Sequence, residues 1–212
     1  MMRALATALL FAAVGCDPPT SVVPTASAPS ATASAEPPIT DPGVFVSKRF
    51  GMRLKLPRSA GWKIDDTKSR WLSATHGEDG SSLLVRLFRD ENRMNREKCE
   101  VKARSFRALP KREGAEIMAE ELVDVPAGFD TRADVGVLTD GKGGLFGFIL
   151  AFGGSGRECF AYVYVTRAEG IGSDAVVADR LAEMMEGSLR ALAFDSNLRA
   201  ILERDAASPL PE

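Results

Sequence analysis

The most reactive side chains in this chain belong to three cysteines and one histidine: Cys16, Cys99, Cys159 and His76. With a single histidine in 212 residues, a metal centre built from several histidines is excluded. The chain has 27 Lys and Arg against 29 Asp and Glu, giving a net charge of -2. That balance excludes a strongly basic nucleic-acid-binding protein. We therefore expect no metal, no cofactor and no nucleic-acid partner.

His76 begins the segment His-Gly-Glu-Asp-Gly, which separates two stretches with strand character. Turn residues of this kind predict a hairpin loop, so we expect His76 at a solvated hairpin tip. An acid–base role would require a carboxylate and a concave pocket around His76, supplied by the rest of the fold. We keep that role as the alternative hypothesis, a hydrolase of the cell envelope with its site around His76.

Two pairs of neighbouring acidic residues and the two tryptophans are further candidates for chemistry or binding. The acidic pairs are residues 65–66 and 120–121, and the tryptophans are Trp62 and Trp71. Consecutive residues of a strand point to opposite faces, so the acidic pairs are predicted to be solvated surface rather than catalytic dyads. A tryptophan ligand platform is the alternative to core packing, and at strand positions we expect core packing.

Cys99 and Cys159 lie in the part of the chain that we expect to fold. The spacing of Cys99, Ala103 and Phe106 places all three on one face of a predicted helix, and Cys159 begins a predicted central strand. An even number of cysteines in an exported domain indicates a disulfide, so we predict a bond between Cys99 and Cys159. The alternative is a pair of buried thiols that pack as small apolar side chains.

The N-terminus has the pattern of an export signal. Arg3 provides a positive start, and residues 4–14 form an uncharged apolar run, shorter than the about 20 residues of a spanning helix. The sequence Ala-Val-Gly-Cys that ends at Cys16 resembles the lipobox of bacterial lipoproteins. The resemblance implies cleavage before Cys16 and acylation of its sulfur and amine, with palmitate-type chains that anchor the protein in a membrane. Cleavage of the same bond by ordinary signal peptidase is the alternative.

The composition changes abruptly after Cys16. Residues 17–43 are dominated by Pro, Ala, Ser and Thr and contain no aromatic residue, so they are predicted to be disordered. We interpret them as a tether that holds a domain clear of the membrane; an unselected disordered terminus is the alternative. The predicted organisation is a signal peptide over 1–15, the lipid-acceptor Cys16 and tether over 16–43, one domain over 44–194 and a tail over 195–212.

The predicted domain alternates between strand and helix signals. Alternation of apolar and basic residues over 52–56 predicts a half-buried strand, and turn residues separate the later strands. A helix capped by Asp90 or Asn92 is predicted to run to about Ala108, and a second from Ser173 or Asp174 to about Leu192. The remaining strands are predicted at about 71–75, 82–88, 117–125, 131–138, 145–152 and 159–166. The last two are apolar throughout, which is typical of central strands.

This order of elements predicts an α+β fold, an antiparallel sheet with one central helix and one C-terminal helix packed on it. The opening Met-Arg-Leu-Lys-Leu-Pro-Arg-Ser-Ala-Gly-Trp and the closing Glu-Gly-Ser-Leu-Arg-Ala-Leu resemble the PsbP-like superfamily. The resemblance covers residues 44–194 and implies a module for binding or assembly, with no catalytic residue to carry over.

Together these observations predict an envelope lipoprotein that faces the periplasm or the exterior and acts as a non-enzymatic binding or assembly module. Its expected partners are the membrane, through the lipid on Cys16, and an envelope protein or ligand that the sequence leaves unidentified.

Overall fold

The computed structural model of the protein describes residues 43–58, 60–139, 141, 143–195, 197–207 and 210–211. The expected signal peptide, Cys16 and the tether up to residue 42 lie outside the described residues. The strands are β1 (Val44–Ser47), β2 (Met52–Lys55), β3 (Trp62–Asp65), β4 (Leu72–His76), β5 (Ser82–Arg89), β6 (Glu116–Val125), β7 (Phe129–Thr139), β8 (Gly144–Ser155), β9 (Glu158–Glu169) and β10 (Ala193–Phe194). The helices are α1 (Arg96–Phe106), α2 (Ser173–Met184), continued by a π-helical turn (Met185–Leu189), and α3 (Leu198–Ala206).

Seven strands form one antiparallel sheet in the order β3-β4-β5-β9-β8-β7-β6. Strands β8 and β9 lie in the interior of this sheet, which confirms that the two most apolar runs are central. A second, three-stranded antiparallel sheet has the order β1-β2-β10. The predicted α+β class with an antiparallel sheet is therefore confirmed, and the small second sheet is an addition that the sequence did not predict.

Both faces of the large sheet are covered. One face packs against α2, α3 and the small sheet, in a core that includes Phe160, Tyr162 and Leu181. The other face packs against α1, in a core that includes Cys99 and Leu150. The alternation of side chains along β9 supplies both cores, because successive residues point to opposite faces.

Helix α2 lies unusually close to the sheet where it crosses Gly147 of β8. A Cβ atom on Gly147 would lie 2.4 Å from Cγ1 of Val177 on the helix. Only glycine allows this approach, because any side chain would push the helix away from the strand. A stripe of residues along this helix and its continuation is buried: Val177, Leu181, Met184, Ser188 and Leu192. The helix itself ends earlier than Leu192, with the π-helical turn.

Helix α1 begins later than the sequence predicted. Its N-cap is Asn95, whose side chain accepts a hydrogen bond of 3.0 Å from the backbone N–H of Lys98. The prediction of Asp90 or Asn92 as the cap is wrong. The Asp90 carboxylate instead accepts hydrogen bonds from the backbone and side chain of Asn92, which forms a separate turn before the helix.

The segment after Phe194 is folded more fully than the sequence suggested. We expected a tail there, whereas α3 buries Leu198, Ile201 and Leu202 against the core. Arg49 holds the end of this helix through an ion pair of 2.7 Å with Asp205. None of the helices within the described ranges is long and apolar enough to span a membrane.

Candidate functional site

His76 does not lie at a solvated tip, and that prediction is wrong. It is the last residue of β4, and only 5% of it is exposed. Trp62 of the neighbouring strand β3 is its cross-strand partner, and the two rings meet edge to face with centroids 5.3 Å apart. The loop that precedes β3 covers the other side of the ring, since the carbonyl of Ala60 lies 2.9 Å from Nε2 of His76. Burial of His76 therefore comes from Trp62 and from the loop before β3, and not only from its own turn.

A cleft of about 500 Å³ opens beside the buried histidine. We call it the His76 cleft, and its lining residues are Arg58, Ala60, His76, Glu78, Asp79 and Arg180. Three elements form its walls: the loop between β2 and β3, the turn between β4 and β5, and helix α2. A smaller cavity of about 10 Å³ continues beneath it towards Trp62 and Tyr164.

The loop between β2 and β3 has an irregular backbone that shapes one wall of the cleft. Arg58 has a φ of 52°, in the left-handed region that non-glycine residues seldom adopt. Such conformations cost roughly 1–3 kcal/mol and persist only where surrounding contacts hold them. Here the indole N–H of Trp62 donates to the carbonyl of Pro57 at 2.9 Å, and the Arg58 guanidinium contacts helix α2.

Ion pairs cross the cleft at two levels. At the rim, Arg58 pairs with Glu183 of α2 at 2.7 Å, and the two side chains are 43% and 45% exposed. At the floor, Arg180 of α2 lies 3.6 Å from the Asp79 carboxylate, and both side chains are largely buried. The hydrogen bond that Arg58 donates to Glu183 raises the pKa of Arg58, although partial burial opposes this. The rim pair is exposed, whereas Asp79 at the floor is largely buried and lies near both arginines, since its Oδ2 is 3.6 Å from Nε of Arg180 and 3.8 Å from Nη1 of Arg58.

The imidazole of His76 lies between two oxygen acceptors. Nε2 lies 2.9 Å from the carbonyl oxygen of Ala60, and Nδ1 lies 3.3 Å from Oδ1 of Asp79. The second contact has the distance of an ion pair without the alignment of a hydrogen bond. Because a carbonyl oxygen only accepts, Nε2 donates to Ala60, and Nδ1 makes no hydrogen bond. In this arrangement the ring joins the loop, the turn and the strand.

A cluster of hydroxyl groups lies beneath the β4–β5 turn. The Ser81 hydroxyl lies 3.0 Å from the Tyr164 hydroxyl and donates to the hydroxyl of Thr166 at 2.9 Å. The Ser81 backbone N–H donates to Asp79 at 2.9 Å. Burial alone would raise the pKa of Asp79, but hydrogen bonds from Ser81 and the charge of Arg180 outweigh it, so this pKa is lowered. Burial raises the pKa of Tyr164.

The predicted pairing of Cys99 with Cys159 is present in the structure. The disulfide joins α1 to the beginning of β9, and both cysteines are completely buried. Their Cα atoms are 5.5 Å apart, within the range that unstrained disulfides allow. The structure therefore contains the disulfide and not the alternative pair of unpaired thiols.

The other candidates are dispersed over the fold. Trp71 is fully buried in the core, as predicted, while Trp62 is half-buried against His76. Glu120 and Glu121 point to opposite faces of β6, where they contact Arg112 and Arg190 respectively. Within the described ranges, no three His, Cys, Asp or Glu side chains converge on a point where they would hold a metal ion.

Sequence reasoning missed the residues that α2 and the β2–β3 loop bring to the cleft. Arg180 and Glu183 are three residues apart on α2 and so share a face of it, a signal that was present in the sequence. Arg58 had no such signal, because its role depends on a loop conformation and on contacts with residues more than one hundred positions away.

No family model and no curated protein matches the chain. The solved structures that resemble the chain at low sequence identity include the following three. A protein from Bacteroides thetaiotaomicron has 10% identity and a TM-score of 0.42; the match covers 73% of this chain and 49% of the other. The chain thus spans about half the length of that protein.

The Ran-binding protein Mog1p of Saccharomyces cerevisiae has 11% identity and a TM-score of 0.42, with 70% of this chain and 93% of the other covered. LpqN of Mycobacterium tuberculosis, described as involved in cell envelope biogenesis, has 11% identity and a TM-score of 0.41, with 67% and 82% covered. At this level of similarity, none of the three proteins assigns a function to this chain.

Proposed function

We propose that the protein is a lipid-anchored component of the bacterial cell envelope whose domain binds a partner through the His76 cleft, without catalysis. The observation that carries this proposal is the two-level charge arrangement of the cleft. An exposed ion pair contributes at most about 1 kcal/mol, so a ligand with its own charged groups can displace the Arg58–Glu183 contact with little loss. The buried Arg180–Asp79 pair beneath it provides a fixed floor.

Two features support this compartment. The N-terminal signal and the lipobox-type Cys16 direct the chain to the envelope and to a membrane. The buried Cys99–Cys159 disulfide supports the same compartment, because such bonds form and persist in oxidising surroundings and are rare in the cytosol. The resemblance to the PsbP-like superfamily supports a role in binding or assembly at that location.

A second candidate function, an envelope hydrolase, is favoured by one observation. His76 lies in a concave cleft with the Asp79 carboxylate 3.3 Å from its Nδ1, as an acid–base pair requires. The hydrogen bond of Nε2 weighs against it, because the carbonyl of Ala60, 2.9 Å away, already occupies this nitrogen. A general base needs that nitrogen within reach of the substrate proton.

The anchor is tested with globomycin, which blocks lipoprotein signal peptidase, and with Cys16→Ser. The proposal predicts that globomycin makes the precursor accumulate and that Cys16→Ser is released from membranes or stays uncleaved. Normal processing of a soluble protein in both tests would replace lipid anchoring with simple secretion.

Binding is tested in cells with a photo-cross-linking amino acid at Glu78, which lies on the wall of the cleft. The matched control carries the same probe at Val101, an exposed residue of α1 on the opposite face of the sheet. We expect a discrete adduct from the Glu78 probe that the Val101 probe does not produce. Equal adducts from both positions, or none, would contradict binding at the cleft.

Catalysis is tested separately, with the purified full-length protein and chromogenic carboxylate and phosphate esters. The binding proposal predicts no turnover above that of His76→Gln. Ester hydrolysis that His76→Gln abolishes would establish the hydrolase instead.

A further inference from the structure

Strand β6 forms one outer edge of the large sheet. It is ten residues long, and it pairs on one side with β7. Within the described residues, no strand pairs with its other side. Its register with β7 shifts between Ile117 and Ala119 and then stays regular to Val125. Residues 119–125 therefore present a straight row of backbone N–H and C=O groups, which is the template for an added strand.

The side chains on one face of this edge alternate in character. Glu120, Leu122 and Asp124 all point to the face that carries α1, because alternate residues of a strand share a face. Leu122 is 69% exposed although it is a large apolar residue. The edge thus shows an acidic, an apolar and an acidic side chain in succession.

Acidic side chains predominate along this stripe, where Arg132, the cross-strand partner of Leu122, contacts Asp134 at 3.4 Å. Asp124 is the direct cross-strand partner of Asp130, and Glu120 is that of Asp134. Like charges in such positions are unfavourable. Arg112 contacts Glu120 and Asp134, and Arg96 contacts Asp130. Among the described residues, Asp124 makes no ion pair, so the edge is complementary to an added cation.

We propose that β6 binds an extended segment of a partner protein as an additional strand. On the α1 side, the bound segment would place basic, apolar and basic side chains opposite Glu120, Leu122 and Asp124. Main-chain hydrogen bonds provide affinity in this mode of recognition, and alternate side chains provide specificity. The proposal stands apart from the His76 cleft, and neither depends on the other.

A second copy of this chain fits the edge less well than a basic partner. Besides Glu120 and Asp124, β6 carries Glu116 and Glu121, and it has no basic residue. Pairing two such edges would bring acidic side chains against each other across the new ladder, which is unfavourable. Charge complementarity therefore selects a basic segment.

The test uses the full-length protein and a labelled, end-capped peptide, Thr-Lys-Thr-Val-Thr-Lys-Thr, with binding followed by fluorescence anisotropy. One control peptide has Glu in place of Lys, and another has Pro in place of a Thr next to Val. We expect the lysine peptide to bind and both controls to bind at least about tenfold more weakly, because the first inverts the charge and the second removes a ladder hydrogen bond.

Two protein variants locate the binding. Leu122→Lys adds a cation to the stripe, and we expect it to weaken binding of the lysine peptide by at least about tenfold. The matched control Val101→Lys changes a residue that is 70% exposed, against 69% for Leu122, and should leave binding unchanged.

Three results would overturn the proposal: no binding at millimolar peptide, equal binding of the lysine and glutamate peptides, or equal binding by Leu122→Lys and the unaltered protein. Analytical ultracentrifugation tests whether a second copy of the chain occupies the edge instead. A dimer of the unaltered protein that Leu122→Lys dissociates would show that a second copy occupies the edge, which also overturns the basic partner.

Discussion

The Nδ1 atom of His76 lies 3.3 Å from Oδ1 of Asp79, where the turn after β4 folds back over the imidazole. On the other side of the ring, the loop from Pro57 to Gly61 brings the Ala60 carbonyl to within 2.9 Å of Nε2. One buried side chain thus joins two loops that form opposite walls of the cleft. A substitution in either loop should therefore alter the packing of His76 and, through it, the position of the other loop.

Gly61→Ala tests the close contact between the loop and the histidine. An added Cβ would lie 2.7 Å from Nε2 of His76, and Gly61 has a φ of 99° that an alanine seldom adopts. We expect a loss of roughly 1–3 kcal/mol in the free energy of unfolding, measured by urea titration. The control is Gly80→Ala, which also has a positive φ, of 66°, but whose Cβ would have no atom within 4 Å. An equal loss in both variants would show that the contact with His76 is not the cause.

Asp79→Asn tests the electrostatics of the floor. Because the folded pKa of Asp79 is lowered, its ionisation stabilises the protein above the unfolded pKa of about 3.9 and this contribution disappears as the pH falls below it. We expect the unfolding free energy of Asp79→Asn to fall less steeply than that of the unaltered protein as the pH is lowered from 5 to 3.

Asp134→Asn provides a control of opposite sign for this measurement. Burial raises the pKa of Asp134 despite the nearby Arg132 and Arg112, so the folded state binds its proton more tightly than the unfolded state. Ionisation of Asp134 therefore lowers stability as the pH rises, and its removal should make the loss of stability in acid steeper. If the unfolding free energies of Asp79→Asn and Asp134→Asn changed with pH in the same way, the opposite pKa shifts of Asp79 and Asp134 would be contradicted.

The disulfide should make a large contribution to stability. It closes a loop of 60 residues, for which the chain-entropy model gives about 4 kcal/mol. We expect the double variant Cys99→Ala/Cys159→Ala to lose this amount in urea unfolding and to become insensitive to reductant. Non-reducing mass spectrometry of the unaltered protein should show the two cysteine peptides linked. Two freely alkylated thiols in the unfolded, unreduced protein would disprove the bond.

Helix α3 should be an integral part of the core and not an appendage. Leu202 is 1% exposed, so we expect Leu202→Ala to cost about 2–5 kcal/mol in thermal or urea unfolding. Ala200→Ser, on the exposed side of the same helix, should leave stability nearly unchanged. Unaltered stability of Leu202→Ala would mean that the helix detaches without consequence.

The large sheet was predictable because its signals are local. The strands from Ile117 onward showed alternating or continuous apolar patterns with turn residues between them, and all four are present. The N-cap of α1 was not predictable from the sequence. Asp90, Asn92 and Asn95 are all residue types that favour a cap, and only the packing of the folded chain selects Asn95. Helix α3 was predictable in principle, because Leu198, Ile201 and Leu202 have the spacing of one helix face.

The candidate site was less predictable than the fold. The burial of His76 depends on the β2–β3 loop and on Trp62 across the ladder, and neither contact follows from the residues around His76. The ion pair of Arg58 with Glu183 joins residues 125 positions apart, where no local pattern reaches. Contacts between residues so far apart in the sequence can be identified only in the folded structure.

The most direct test of binding at the His76 cleft is the yield of the Glu78 cross-link in cells that carry Arg58→Glu. This substitution removes the exchangeable rim cation and places a like charge beside Glu183. The matched control, Arg93→Glu, alters an exposed arginine just before α1. The proposed function predicts that the adduct disappears in Arg58→Glu and persists in Arg93→Glu, with both proteins equally abundant and membrane-bound. An adduct that persists undiminished in Arg58→Glu would contradict it.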